Sequence, residues 1–155
     1  MNPADDKPPA NATKSDIANF LLREFPQTKC TVVAVGHRSA TVRHAIGKAE
    51  LRPGGTVSGP VLVAVADVAL YVAILGEIGL VPLAVTTSLS INFLRKPAAD
   101  AAIVGTCRLM KVGRSLIVGE VELYSEGIGE PVAHAVGTYS VPPPRPASNA
   151  RSGAS

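Results

Sequence analysis

Residues 58–75 read SGPVLVAVADVALYVAIL, and from Val61 to Leu75 every side chain is apolar except Asp67. The run predicts one helix from about Gly59 to Leu75, reaching toward Ile78. Ser58 offers a cap, Pro60 stands in the first turn and Gly79 sits where a stop belongs. A helix apolar all round is buried on most faces. The uninterrupted part falls short of the ~20 residues a bilayer span needs, and Asp67 breaks it, so a core helix is expected rather than a membrane segment. A buried carboxylate without a partner costs several kcal/mol unless it takes up a proton. Asp67 therefore needs a reason.

The rest of the chain is consistent with a soluble core. It has 155 residues, 46% hydrophobic but only 4% aromatic, with no Trp, so Val, Ala, Leu and Ile must fill the interior. Mean hydropathy is +0.26 and the pI about 9.1. The net charge of +3 is spread without a Lys/Arg run, which suits a small anionic ligand better than nucleic acid. Cys30 and Cys107 stand far apart, with no C-x-x-C and no neighbouring His in sequence. They predict two ordinary thiols in a reducing cytoplasm, neither a disulfide framework nor a metal site. The opening MNPADDKPPANATKSD has no apolar core of a secretory signal, so no export is expected.

Residues 1–13 and 142–155 are polar and Pro-rich and are expected to be disordered tails, which leaves one domain over 14–141. SDIANFLLREF carries Ile17, Phe20, Leu21 and Phe25 at helical spacing, with Ser15 as cap and Pro26 as stop. CTVVAVGHRS and ATVRHAIGKAEL predict two strands turning near Arg38–Ser39–Ala40, and RPGGTVSG predicts a loop. Beyond the long helix, LAVTTSLSINFLR, AAIVGTCRLMKV, SLIVGEVELYSE and PVAHAVGTYSV predict four strands. Val112–Gly113–Arg114 and Gly127–Ile128–Gly129 turn the last three into hairpins. SLSINF and EVELYS alternate as a sheet with one covered face requires. The order is helix, two strands, buried helix, four strands: an α+β fold with an antiparallel sheet wrapped around one central helix.

With that order, LRPGGTVSGPVLVAVAD followed by SLSINFLRKPA resembles the hotdog-fold acyl-CoA thioesterases, nearest the phenylacetate-pathway (PaaI-like) branch. The likeness spans about Val32 to Val141. It rests on the loop into the central helix, on Asn92 to Arg95 with Pro97–Ala98, and on the hairpin Lys111 to Arg114. Relatives often carry His-Gly-Gly where this chain has Ser58, Gly59 and Pro60, at the same spacing from the helix acid.

The resemblance implies an enzyme that hydrolyses an acyl-CoA to free acid and coenzyme A. No cofactor is needed, since coenzyme A belongs to the substrate. Asp67 would be nucleophile or general base, the Gly59 amide would polarise the carbonyl, and Thr86 would be the strand hydroxyl facing the acid, with Thr87 next. Ser58 and Pro60 would border the thioester. Pro60 lacks the second amide that Gly-Gly relatives offer. Arg95, Lys96, Lys111 and Arg114 are the candidates for the coenzyme A phosphates. Asp67 lies about two turns past Gly59, a rise of ~12 Å at ~1.5 Å per residue, too far for both to act on one carbonyl from one helix. In the family two subunits pair with their central helices side by side, so a homodimer or dimer of dimers with composite sites is implied. The rival is an acyl-CoA binder of the same fold without catalysis, which the loss of His-Gly-Gly keeps open. Asp67 is followed by Val68, Ala69, Leu70, Tyr71 and Val72, without the nearby His of the hydratase branch. His37, His44 and His134 sit singly within strands, each expected to be satisfied or exposed rather than a ligand.

Overall fold

The computed structural model describes residues 12–142. The expected tails at 1–11 and 143–155 lie outside the described residues. In chain order the elements are α1 (Lys14–Glu24), β1 (Cys30–Gly36), β2 (Ser39–His44), β3 (Leu51–Arg52), β4 (Thr56–Val57), α2 (Gly59–Ile78), β5 (Val85–Phe93), β6 (Ile103–Val112), β7 (Leu116–Ser125) and β8 (Ala133–Ser140). Six strands form one antiparallel sheet in the order β1-β2-β6-β7-β8-β5, and β3 pairs with β4 in a small separate hairpin. The sheet curls around α2. This is the α+β hotdog architecture.

The helix is buried where the sheet wraps it. Leu62, Val65, Ala66, Ala69, Leu70, Val72, Ala73, Ile74 and Leu75 are all at most 2% exposed. Each fully buried Leu, Ile or Val contributes about 1.5–3 kcal/mol of hydrophobic free energy. Close approach is made possible by glycines on the concave face. Gly119 and Gly137 are cross-strand partners, and a Cβ on either would run into the Leu70 side chain. Leu70 sits in the notch between them.

Helix α2 runs its full 20 residues to Ile78, with Gly79 closing it at φ 91°. Its apolar window has a mean hydropathy of 2.2, so by length and composition it could cross a membrane. Length therefore does not argue against a span, as the uninterrupted run had suggested. The packing of its side chains inside the sheet is what accounts for their apolarity. Ser58 occupies the cap position, yet its side chain makes no capping hydrogen bond.

Local chemistry moves other boundaries. Thr13, not Ser15, caps α1: its hydroxyl accepts from Asp16 N–H while Asp16 accepts from Thr13 N–H. The first hairpin turns at His37–Arg38, with Arg38 at φ 51°, so Ser39 and Ala40 already belong to β2. The strand expected to run on to Leu51 stops at His44, and a single 3-10 turn takes Lys48–Glu50. The expected loop over 52–59 contains the β3–β4 hairpin, turned by Gly54 and Gly55 at positive φ.

Strand β5 differs from the one-face pattern expected of it. Only Leu89 and Ile91 are half-buried, and the other residues of the strand are exposed. It is an edge strand, which α2 reaches but does not cover.

Candidate active site

Asp67 is placed by α2 on the side of the helix that meets β5 and β8. It is half-buried, and its partners are hydroxyls rather than charges. Thr86 Oγ1 donates to Asp67 Oδ1 at 2.6 Å, and Tyr139 OH lies 2.8 Å from the same oxygen and 3.2 Å from the Asp67 carbonyl. Thr86 and Tyr139 are Cα partners across the β5–β8 ladder, so both side chains leave the sheet on one face. A register shift between Thr86 and Ser88 marks a bulge at Thr87. Bulges re-aim side chains locally. Here Thr87 turns its hydroxyl back to the Thr138 carbonyl at 3.2 Å and does not reach the acid.

The acid borders a cavity of about 390 Å³ whose walls include Leu21 of α1, Phe25 just past its end, and residues Tyr71, Val85, Thr86 and Tyr139. Tyr71 and Tyr139 stack with centroids 5.8 Å apart and planes 14° from parallel. The Tyr71 hydroxyl is tied to the Val81 carbonyl at 2.8 Å. Burial pushes the Tyr71 phenol up to about 12, with a further contribution from Glu24. Burial, then the Asp67 charge, push the Tyr139 phenol higher still, so it stays a proton donor throughout the working pH range.

Gly59 opens a different cavity, of about 460 Å³, shared with Arg52, Phe93, Leu94, Arg95 and Lys96. As the first helical amide its N–H has no intrahelical acceptor, and the helix dipole there favours negative charge. Pro60 follows with no N–H to give, and Val61 N–H is turned onto the Ser58 carbonyl at 3.1 Å. Within one chain Gly59 and Asp67 thus face separate cavities. The candidate cations divide the same way. Arg95 and Lys96 line the Gly59 cavity, although Arg95 also pairs with Glu130 at 3.2 Å and donates to the Pro131 carbonyl. Lys111 and Arg114 are exposed around the β6–β7 turn and line neither cavity.

Two features escaped the sequence reading. Tyr139 is one. The other is a cluster around Glu50, which brings a His from the neighbouring strand beside Cys30. Cys30 and His44 are Cα partners across β1–β2, and Cys30 Sγ lies 3.7 Å from His44 Nδ1. His44 Nε2 is 3.4 Å from Glu50 Oε1, which also takes Lys29 Nζ at 3.0 Å, while Glu50 Oε2 accepts from Gly47 N–H at 2.8 Å. Burial raises the Cys30 thiol to about 11, so it is protonated and unreactive at neutral pH. His37 and His134 also each lie beside a carboxylate, Glu77 and Glu120. Among the described residues no group of three or more His, Cys, Asp and Glu side chains is arranged to hold a metal ion.

A helix wrapped by an antiparallel sheet, with an acid on its open side and a free amide at its start, defines the hotdog thioesterase class. Comparison with known proteins agrees. The chain matches the family described as thioesterase superfamily over residues 54–132, and it belongs to that family. A candidate thioesterase from Silicibacter sp. TM1040 is 41% identical, with a TM-score of 0.79 over 85% of this chain and 93% of that one. A mutant form of the phenylacetic acid degradation protein PaaI from Thermus thermophilus is 26% identical, with a TM-score of 0.66 over 76% and 96% of the two chains. The PaaI protein of the E. coli phenylacetic acid degradation operon shares the fold, with a TM-score of 0.71 over 83% and 94% at 19% identity. No curated protein sequence matches the chain. The chain is a thioester hydrolase of the hotdog type, in the PaaI-like branch.

Proposed function

We propose that this protein hydrolyses acyl-CoA thioesters to the free acid and coenzyme A, with Asp67 as the reacting carboxylate and Thr86 beside it. The observation that carries this reading is the half-buried Asp67, bonded among the described residues only to neutral hydroxyls and bordering a largely apolar cavity. Asp67 attacks the carbonyl carbon to form an anhydride that water then hydrolyses to the free acid, or it takes a proton from the water that attacks. On either route the thioester C–S bond breaks and coenzyme A leaves as the thiolate, which takes up a proton. The Gly59 amide stabilises the oxyanion. Ser58 and Pro60 border the thioester, and Arg95, Lys96, Lys111 and Arg114 receive the phosphates.

Because Gly59 and Asp67 open different cavities, each site takes the amide from one subunit and the acid from another. Strand β5 suits such pairing. It is a nine-residue edge strand, flanked by Leu83, Val85, Phe93 and Leu94, each at least 50% exposed. Antiparallel pairing of β5 with its copy would set the Thr86 end of one subunit beside the Phe93 end of the other. That brings Arg95 and Lys96 toward the partner's acid.

The test is thiol release from short, medium, aromatic and long acyl-CoAs, with Asp67→Ala alongside. The expected result is turnover of at least one class and a loss of about 10³-fold or more in kcat for the variant. Wild-type protein that binds acyl-CoA but turns over none would overturn the enzyme reading in favour of a binder. Full activity in Asp67→Ala would remove the acid from the mechanism.

A further inference from the structure

Two hydroxyls converge on one oxygen of Asp67, and the other oxygen is left unbonded among the described residues. We infer that Tyr139 is the positioning residue for Asp67: with Thr86 it holds Oδ1, and Oδ2 becomes the oxygen presented to substrate. This rests on Asp67 being the reacting carboxylate.

Free rotation about the Cβ–Cγ bond would otherwise make the two carboxylate oxygens interchangeable. One donor fixes an oxygen only weakly, whereas two donors from adjacent strands define a single orientation. The Tyr139 proton has two acceptors in reach, Oδ1 at 2.8 Å and the Asp67 carbonyl at 3.2 Å. It belongs on the charged one, because charge-assisted hydrogen bonds are shorter and stronger. That arrangement ties β8 to α2 through the Asp67 side chain.

The phenol is itself rigid. Tyr139 is 3% exposed and stacked on Tyr71, which is anchored by its own hydrogen bond to Val81. Its burial keeps the proton on. Thr86 alone is a poorer clamp, since it stands exposed on an edge strand. The surroundings hold little else that titrates. From α1 comes Leu21, from the segment after it Phe25, Gln27 and Thr28, from α2 Val68 and Tyr71, and from the β5 side Ala84 and Val85. No Lys, Arg, His or Glu lines the cavity among the described residues, and Glu24 acts on Tyr71 only at a distance. The hydroxyls are thus the groups that orient the acid.

Tyr139→Phe removes one oxygen and preserves the stacked ring. The expected kinetic result is a kcat about 10-fold lower with KM unchanged, the scale of one hydrogen bond to a charged group. A merely structural ring, kept intact in the Phe variant, would leave kcat as well as KM unchanged. Adding Thr86→Ala should cost less than the product of the single losses, since both act through the same oxygen.

A crystal structure of Tyr139→Phe reads the same inference without activity. The Asp67 carboxylate is expected to leave its single orientation or to occupy two. An unmoved carboxylate together with unchanged kcat would overturn the proposal. If wild type turns over no thioester, the enzyme reading falls, and the carboxylate's orientation in the variant still decides whether Tyr139 positions it.

Discussion

Two carboxylates flank the central helix, and the chain treats them in opposite ways. Glu50 is 6% exposed and both its oxygens are occupied: Oε1 by Lys29 and His44, Oε2 by the Gly47 amide. The Gly47 N–H first, then Lys29, hold its carboxyl down to about 2. Asp67 has only Thr86 and Tyr139, both on Oδ1, and forms no ion pair among the described residues. A carboxylate saturated by an amide and a cation is stabilised in one state and has nothing left to offer a reactant. One held by neutral hydroxyls on a single oxygen keeps an oxygen free and faces no fixed counter-charge. Glu50 is thus held as a structural group, and the proposed chemistry falls to Asp67.

The sharpest way to break that comparison is to neutralise each acid without changing its shape. Asp67→Asn keeps an oxygen to accept from Thr86 and Tyr139, so the fold should hold, shown by an unchanged circular dichroism melt. Its kcat should fall by about 10³-fold in the thiol-release assay. Glu50→Gln should do the reverse. The amide cannot pair with Lys29 as a charge, and one of its ends must turn an N–H toward a donor. Its Tm should fall by about 5 °C or more, while turnover per folded molecule is retained. Equal losses of activity in the two variants would erase the distinction.

What the sequence disclosed follows from how local each feature is. The long helix, its end at Gly79 and the isolation of Asp67 depend on residues within a few turns, and all were legible. Thr86 was reachable through the family pattern. Tyr139 was not, because in PVAHAVGTYSV it looks like any strand aromatic. Its meaning comes from its register with Thr86, on a strand far earlier in the chain, and from the bulge at Thr87. One signal was present: Ala133, Ala135, Gly137 and Tyr139 alternate, so Tyr139 shares the face whose small residues admit α2. The Cys30–His44–Glu50 cluster was hidden for a similar reason. It requires the β1–β2 register and the 3-10 turn that replaced the expected end of a strand.

Acid titration separates the two carboxylates by stability instead of rate. Glu50 has its folded carboxyl lowered to about 2 from the ordinary 4.5. The unfolded chain therefore binds the proton first, so the contribution is fully present above about pH 4.5 and is lost as pH falls toward 2. Tm measured across that window should drop more steeply for wild type than for Glu50→Gln, which has no proton to gain there. Parallel curves would mean that Glu50 does not hold the native state together.

The smallest effect tests why Glu50 is held. Lys29 is 60% exposed at its side chain, and an exposed partner contributes little because water and salt screen it. The Gly47 amide is fixed by the backbone and takes no entropy to position. Lys29→Ala should then lower Tm by only about 1–2 °C, with the acid-dependent part of the curve largely retained. If Lys29→Ala matched Glu50→Gln instead, the cation and not the amide would be the anchor. The contrast with Asp67 would then reduce to the presence or absence of one positive charge, and introducing a lysine near Thr86 would be expected to silence the acid in the same way.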